Sequence, residues 1–132
     1  MNYLLDTHTL IWSLTENKKL SKIVKNILEN TDNEIYVSAI SFWEVSLKYA
    51  LKKLSLNGIN PEELLELTTE LGFNFISIQP DECADFYKMN NLIHRDPFDR
   101  MLIWQALKHD FILITKDDTV KRYQSMGLKL IW

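Results

Sequence analysis

One cysteine, Cys83, stands alone in 132 residues. It cannot close an internal disulfide and has no companions for a thiolate metal site, so a reducing cytoplasm suits the chain. Three glycines are too few for a glycine-rich phosphate loop, and neither a Gly-x-Ser-x-Gly elbow nor a His-Glu-x-x-His pair occurs. The histidines, His8, His94 and His109, are scattered and read as surface or local hydrogen-bonding groups. No apolar run approaches the ~20 residues of a membrane span. The run Tyr3-Leu4-Leu5 stops at Asp6 with no basic segment before it, so neither a signal peptide nor an anchor is expected. A large positive charge is also missing: 15 basic against 18 acidic residues leave −3. That argues against binding nucleic acid by bulk electrostatics, though not against a basic rim around an acidic site.

What is present is a globular composition, 46% apolar and 25% charged, in a length suited to one domain spanning residues 1–132. Short apolar runs alternate with helical spacing. Tyr3–Leu5 reads as a buried strand, followed by a helix through Leu10, Ile11 and Leu14. Residues 21–29 predict an amphipathic helix with Ile23, Val24, Ile27 and Leu28 inward. Ile35-Tyr36-Val37 is strand-like, and Ser38 or Ser41 opens a helix carrying Trp43, Leu47, Ala50, Leu51 and Leu54. Asn57-Gly58 breaks the chain, Pro61 starts the next helix, and residues 73–78 predict a strand. Pro80 begins a further helix through Phe86 and Tyr87. Residues 111–114 predict a strand, residues 117–125 a short helix, and residues 128–131 a last strand. Alternating strands and helices imply a three-layer α/β/α sandwich around a central, mostly parallel sheet.

The most informative stretch is His94-Arg95-Asp96-Pro97-Phe98-Asp99-Arg100 and the helix it opens. Asp96 reads as the N-cap and Pro97 as the first helical residue. Asp99 falls three and four residues before Leu102 and Ile103, on the stripe that with Ala106 and Leu107 faces the core. A carboxylate aimed inward is costly unless a cation or donors meet it. Asp6 and Asp117 each follow an apolar strand, and Glu44 opens the helix after another, so all four point to one strand-end edge.

Each acid also has an ordinary explanation. Asp6 and Asp117 fit as helix caps, Asp99 fits the positive end of its helix dipole, and Ser41-Phe-Trp-Glu44 has capping-box spacing with Lys48 at i,i+4. Convergence is what separates the readings. One like-charge pair at ~4 Å costs about 4 kcal/mol at an effective dielectric near 20. Several would rival the whole stability of a small domain, so protonation or a hard cation must intervene. Oxygen ligands alone favour Mg²⁺ or Mn²⁺, which act on phosphate esters. Thr7 and Thr115 are placed to orient carboxylates or water, or simply to cap and to favour a strand. Arg95 and Arg100 bracket the acidic pair and could hold phosphates, as could Lys116. Trp12, Trp43 and Trp104 read as core or dimer packing rather than as base-stacking platforms.

Four motifs in this order, Leu4-Leu5-Asp6-Thr7-His8, Ser41-Phe-Trp-Glu44 with Lys48, the segment from His94 to Arg100, and Leu113-Ile114-Thr115-Lys116-Asp117, resemble those of PIN-domain ribonucleases. The nearest likeness is to the VapC-type toxins of bacterial toxin–antitoxin pairs, and it runs over essentially the whole chain. The resemblance implies a Mg²⁺- or Mn²⁺-dependent endoribonuclease, a homodimer, and a cognate antitoxin that inserts into the acidic cleft. Metal ligands then correspond to Asp6, Glu44, Asp99 and Asp117, supported by Thr115 and Arg100, with Asp96 and Asp118 as further candidates. Two other readings use the same residues. One is a phosphatase or DNA nuclease on the same acids; the other is a non-catalytic binding module whose acids are caps. Asp6-Thr7-His8 lacks the second carboxylate, two residues on, that an aspartyl-phosphate phosphatase would carry.

Overall fold

Among the described residues five short strands, all paired in parallel, build one sheet. The computed structural model describes residues 1–89 and 96–132; the expectations on His94 and Arg95 lie outside the described residues. β1 (Asn2–Leu5) runs into α1 (Thr7–Thr15), and α2 (Lys22–Glu29) leads to β2 (Glu34–Ser38). α3 (Ala39–Ala50) and α4 (Pro61–Glu70) precede β3 (Asn74–Ile76) and the short α5 (Pro80–Ala84). α6 (Pro97–His109) then returns the chain to β4 (Ile112–Ile114), and a 3₁₀ segment (Asp118–Met126) joins it to β5 (Lys129–Ile131).

The strands carry apolar residues on both faces because both faces are covered. Tyr3, Leu5, Ile35, Val37 and Ile114 pack into one core with Leu10 and Ile11 of α1, Val24 of α2, Val45 of α3 and Leu64 of α4. Their neighbours Leu4 and Leu113 pack into the second core with Leu102, Ile103 and Ala106 of α6 and with Val120 and Tyr123. This period-2 division makes the three-layer sandwich.

Most element boundaries follow local chemistry. Ser21 caps α2, Asn60 and Glu63 form a capping box before Pro61, and Gly72 and Gly127 take left-handed φ after α4 and the 3₁₀ segment. Three expectations need correction. Ile23 is 52% exposed: at the start of α2 it turns outward, while Val24 and Ile27 carry the buried stripe. Trp43, Leu47 and Leu51 share a face of α3 that is largely exposed in the single chain, Trp43 by 61%, which removes the core reading of Trp43 and leaves the dimer-packing one. The strand expected over residues 73–78 pairs only over Asn74–Ile76, at the sheet edge.

The strand order reverses at β1. The chain builds outward through β2 and β3, then crosses to the other side of β1 for β4 and β5. The carboxyl ends of β1 and β4 therefore border a crevice from which connections leave in opposite directions, where α/β sheets place their ligands.

Candidate functional site

Asp6 is the first residue beyond β1. Its N–H donates to Ile114 O at 3.1 Å, tying it to the end of β4, and its carboxylate caps α1 by accepting from Thr9 N–H at 2.8 Å. Thr115, buried at the end of β4, also bonds the Asp6 side chain, and its Oγ1 accepts from Asp117 N–H at 3.1 Å. Asp117 caps the 3₁₀ segment, taking the Thr119 N–H at 2.9 Å and the Thr119 hydroxyl at 2.7 Å. From across the crevice α6 supplies Asp99, one turn before Leu102 and Ile103. Asp6, Asp99 and Asp117 together line a cavity of about 80 Å³, with Thr115, Leu102 and Ile103 in its wall. The stripe position of Asp99 in the sequence thus corresponds to a real place in the cavity wall.

Glu44 stands on the other side of Asp99 and is not in that wall. It is 2% exposed. One carboxylate oxygen accepts from Thr7 Oγ1 at 2.6 Å; the other is in contact with the Lys48 ammonium. The capping-box reading of Ser41 to Glu44 does not hold, because Ser38 caps α3 and puts Glu44 mid-helix. Ser41 instead receives a second contact from Thr7 Oγ1, at 3.1 Å. Asp96 is the N-cap of α6, accepting from the N–H groups of Phe98 and Asp99, and lies 3.8 Å from Lys48 Nζ. One carboxylate oxygen from each of Glu44, Asp96 and Asp99 lies within 4.8 Å of the other two. Asp99 is therefore common to two acidic groups, Asp6–Asp99–Asp117 and Glu44–Asp96–Asp99.

The electrostatics reflect this crowding. Burial pushes the Asp6 carboxyl above the ordinary carboxylate value, while hydrogen bonds from Thr9 and Thr115 and the charge of His8 pull it part of the way back. For Lys48, partial burial acts to lower the ammonium; contact with Glu44 and the fields of Asp96 and Asp99 outweigh it and hold the group above the usual lysine value. Oxygen donors alone suit Mg²⁺, Mn²⁺ or Ca²⁺ rather than zinc or copper, so the residues present fit a hard divalent ion.

Other candidates sit as follows. Arg100 lays its guanidinium over the Phe86 ring at 4.6 Å and is not in the cavity wall. Asp118 is exposed and pairs with Lys121 at 2.9 Å. A larger cavity of about 650 Å³ beside Tyr49, Lys52 and Ile59 has no acid in its wall and so nothing to hold a hard cation. Trp104 is half-buried and donates to Asp85 at 2.9 Å, whereas Trp43 meets only the edge of Phe98, with ring centroids 5.4 Å apart. Trp12 packs partly against the first core, as the core reading expects, and its ring also forms a wall beside Asp6 and Asp117, which that reading did not convey. The available signal was its position four residues after His8, on the same face of α1.

Comparison with known proteins identifies the family and the fold. The family model described as PIN domain matches residues 3–125. The chain belongs to the PIN domain family. Among curated proteins, this PIN domain is 26% identical over 129 residues to Ribonuclease VapC22 of Mycobacterium tuberculosis (strain ATCC 25618 / H37Rv), covering 98% of this chain and 97% of that protein. Among solved structures it is similar to VapBC2 from Rickettsia felis bound to a DNA fragment from their promoter. That match has a TM-score of 0.69 at 17% identity and covers 99% of this chain and 98% of that one. It is also similar to VapBC-1 from nontypeable Haemophilus influenzae, with TM-score 0.68, 23% identity, and coverage of 99% and 97%. The parallel five-stranded α/β/α sandwich is the fold these PIN proteins share. No helix among the described residues is long and apolar enough to cross a membrane.

Proposed function

We propose that residues 1–132 form one divalent-metal-dependent endoribonuclease domain, acting in the cytoplasm as the toxin of a toxin–antitoxin pair. The observation that carries this is the convergence of Asp6, Asp99 and Asp117, from three separate elements, on one cavity at the strand-order reversal. The likeness to Ribonuclease VapC22 and to the VapBC structures supports RNA as substrate and a cognate antitoxin protein, together with a homodimer, as partners.

Under this proposal Asp6, Asp99 and Asp117 hold Mg²⁺ or Mn²⁺, with Glu44 and Asp96 completing the acidic group through Asp99. When bound, such an ion neutralises charge building on the phosphate oxygens and makes water a better nucleophile. The chain's own residues fix the rest. Thr115 holds the Asp6 carboxylate and the backbone of Asp117 in one arrangement. Thr7 and Lys48 satisfy both oxygens of Glu44, so this buried carboxylate keeps one orientation. Lys48 offsets part of the negative charge between Glu44 and Asp96. In the reaction a water oxygen bonds to phosphorus, the bond to one ribose oxygen breaks, and that oxygen leaves with a proton.

The test is to offer the purified chain RNA, single-stranded DNA and a simple phosphate monoester, with Mn²⁺, with Mg²⁺ and with EDTA. Cleavage of RNA alone, lost in EDTA and in Asp99→Asn, is the expected result. Monoester or DNA turnover would move the assignment to a phosphatase or DNA nuclease. Full RNA cleavage by Asp99→Asn would remove Asp99 from the site.

A further inference from the structure

Trp12 lies six residues after Asp6 and four after His8, on the face of α1 that looks along the crevice. With Asp6, His8, Lys116 and Asp117 it lines a second cavity of about 310 Å³, which shares Asp6, His8 and Asp117 with the acidic one. The two therefore adjoin. The indole is half-buried and held in place: Trp132 packs against it edge-on, with centroids 5.9 Å apart. Two ammonium groups gather at its ring, Lys19 at 5.5 Å and Lys116 at 5.9 Å from a ring centroid. Lys19 is also paired with Glu16 at 3.0 Å, while Lys116 makes no ion pair among the described residues. In a chain of net charge −3, an aromatic wall, a lysine without an ion pair among the described residues and an acidic pocket have been brought side by side.

We propose that this hollow is a nucleobase subsite: a base next to the scissile phosphodiester stacks on Trp12, and the adjoining phosphate is held by Lys116. The proposal rests on the nuclease reading of the acidic cavity and adds to it where the neighbouring nucleotide goes. A single-stranded nucleic acid repeats a flat π-face and an anionic phosphate in each nucleotide. The recurring protein answer is an aromatic platform with a cation beside it. Such a platform accepts every base, so it contributes affinity and register more than sequence choice. Lys116, on a flexible four-carbon stem, can exchange its place at the ring for a phosphate oxygen.

The experiment uses the full chain carrying Asp99→Asn, in EDTA, so that no cutting occurs. Binding is read by fluorescence anisotropy with an end-labelled eight-nucleotide RNA pool and with the same backbone built from abasic linkers. The intact RNA should bind about tenfold more tightly than the abasic strand, the weight of one stacked base. Adding Trp12→Leu should remove that difference and leave abasic binding unchanged, and Trp12→Phe should restore most of it. Lys116→Ala should weaken both strands alike and flatten the salt dependence by about one phosphate contact. The proposal is overturned if intact and abasic strands bind equally, if Trp12→Leu weakens both to the same extent, or if it changes neither. Should Trp12→Leu fail to fold, the ratio of intact to abasic binding in Trp12→Phe and Lys116→Ala decides the matter. A smaller ratio with Phe and an unchanged one with Lys116→Ala support the subsite, and any other pair of results overturns it. Cleavage by the unmodified chain is scored separately. Base-dependent binding without RNA cleavage sinks the nuclease reading alone, and RNA cleavage with Trp12-independent binding sinks the subsite alone.

Discussion

Removing the charge of Asp99 should stabilise the protein when no divalent ion is present. Its carboxylate has oxygen partners on Glu44 and Asp96 within 4.8 Å. At that distance each like-charge pair costs roughly 3.5 kcal/mol at an effective dielectric of 20. Asp99 is half-exposed, so water screens part of this repulsion, and it is also attracted to Lys48. Its first-turn position in α6 contributes a further ~0.5 kcal/mol in favour of the charge through the helix dipole. A net gain of about 1–2 kcal/mol remains for Asp99→Asn, worth roughly 3–8 °C in Tm for a chain of this size. Manganese should reverse the order. At a hundred times its Kd, a bound ion stabilises the native chain by about 2.7 kcal/mol, and Asp99→Asn should lose most of that gain. The assay is thermal and urea unfolding of both proteins in EDTA and in a Mn²⁺ series. A lower metal-free Tm for Asp99→Asn, or an equal Mn²⁺ response in the two proteins, would refute the crowding argument.

Asp6 carries a pH signature. Its carboxyl is raised by burial, so the folded chain prefers it protonated; that preference is complete below the ordinary value and is lost as pH rises through the raised one. In urea titrations of the metal-free protein, stability relative to Asp6→Asn should therefore fall as pH rises above the ordinary carboxylate value of about 4, and a flat difference would contradict the burial. Thr7→Val leaves one oxygen of the buried Glu44 without its donor and should cost about 1–3 kcal/mol in urea unfolding, with Thr7→Ser restoring most of it. Glu82 is buried outside the site, receiving Gln79 N–H and Gln105 Nε2 while its other oxygen meets His109 at 2.6 Å. Glu82→Ala should cost about 1–3 kcal/mol of stability and leave RNA cleavage per folded molecule unchanged, as active-site titration would show.

Much of this architecture is legible in the sequence because short-range rules decide it. Leu4-Leu5, Ile35 to Val37 and Leu113-Ile114 are apolar on both faces and end abruptly in polar residues, which specifies buried parallel strands and the edge where they stop. Asp96, Pro97 and the stripe at Leu102 and Ile103 fix the start and facing of α6. What periodicity leaves open is what covers a face. Trp43, Leu47 and Leu51 repeat as regularly as core residues but stand exposed, because among the described residues little beyond the edge of Phe98 meets that side of α3. Glu44 was ambiguous because two serines three residues apart could each open the helix, and the choice of Ser38 moves the acid from a cap to mid-helix. The role of Asp96 beside Glu44 depends on how α6 lies against α3, and that angle is a property of packing with no local signature. Trp12 reads as packing alone for a similar reason: a tryptophan among apolar helix positions looks the same whether its ring meets the core or opens onto a cavity.

Asp6 and Asp117 each begin a helical segment with the same side chain that lines the acidic cavity, and Asp96 begins another with the carboxylate that stands beside Glu44 and Asp99. Asparagine begins a helix about as well as aspartate, and alanine does not. Swapping a carboxylate for an amide at these positions would therefore switch off the charge while keeping the scaffold, whereas truncation would loosen the turn that frames the cleft. The chemistry and the carpentry of this protein hang on the same nails, and only substitutions that respect both can tell them apart.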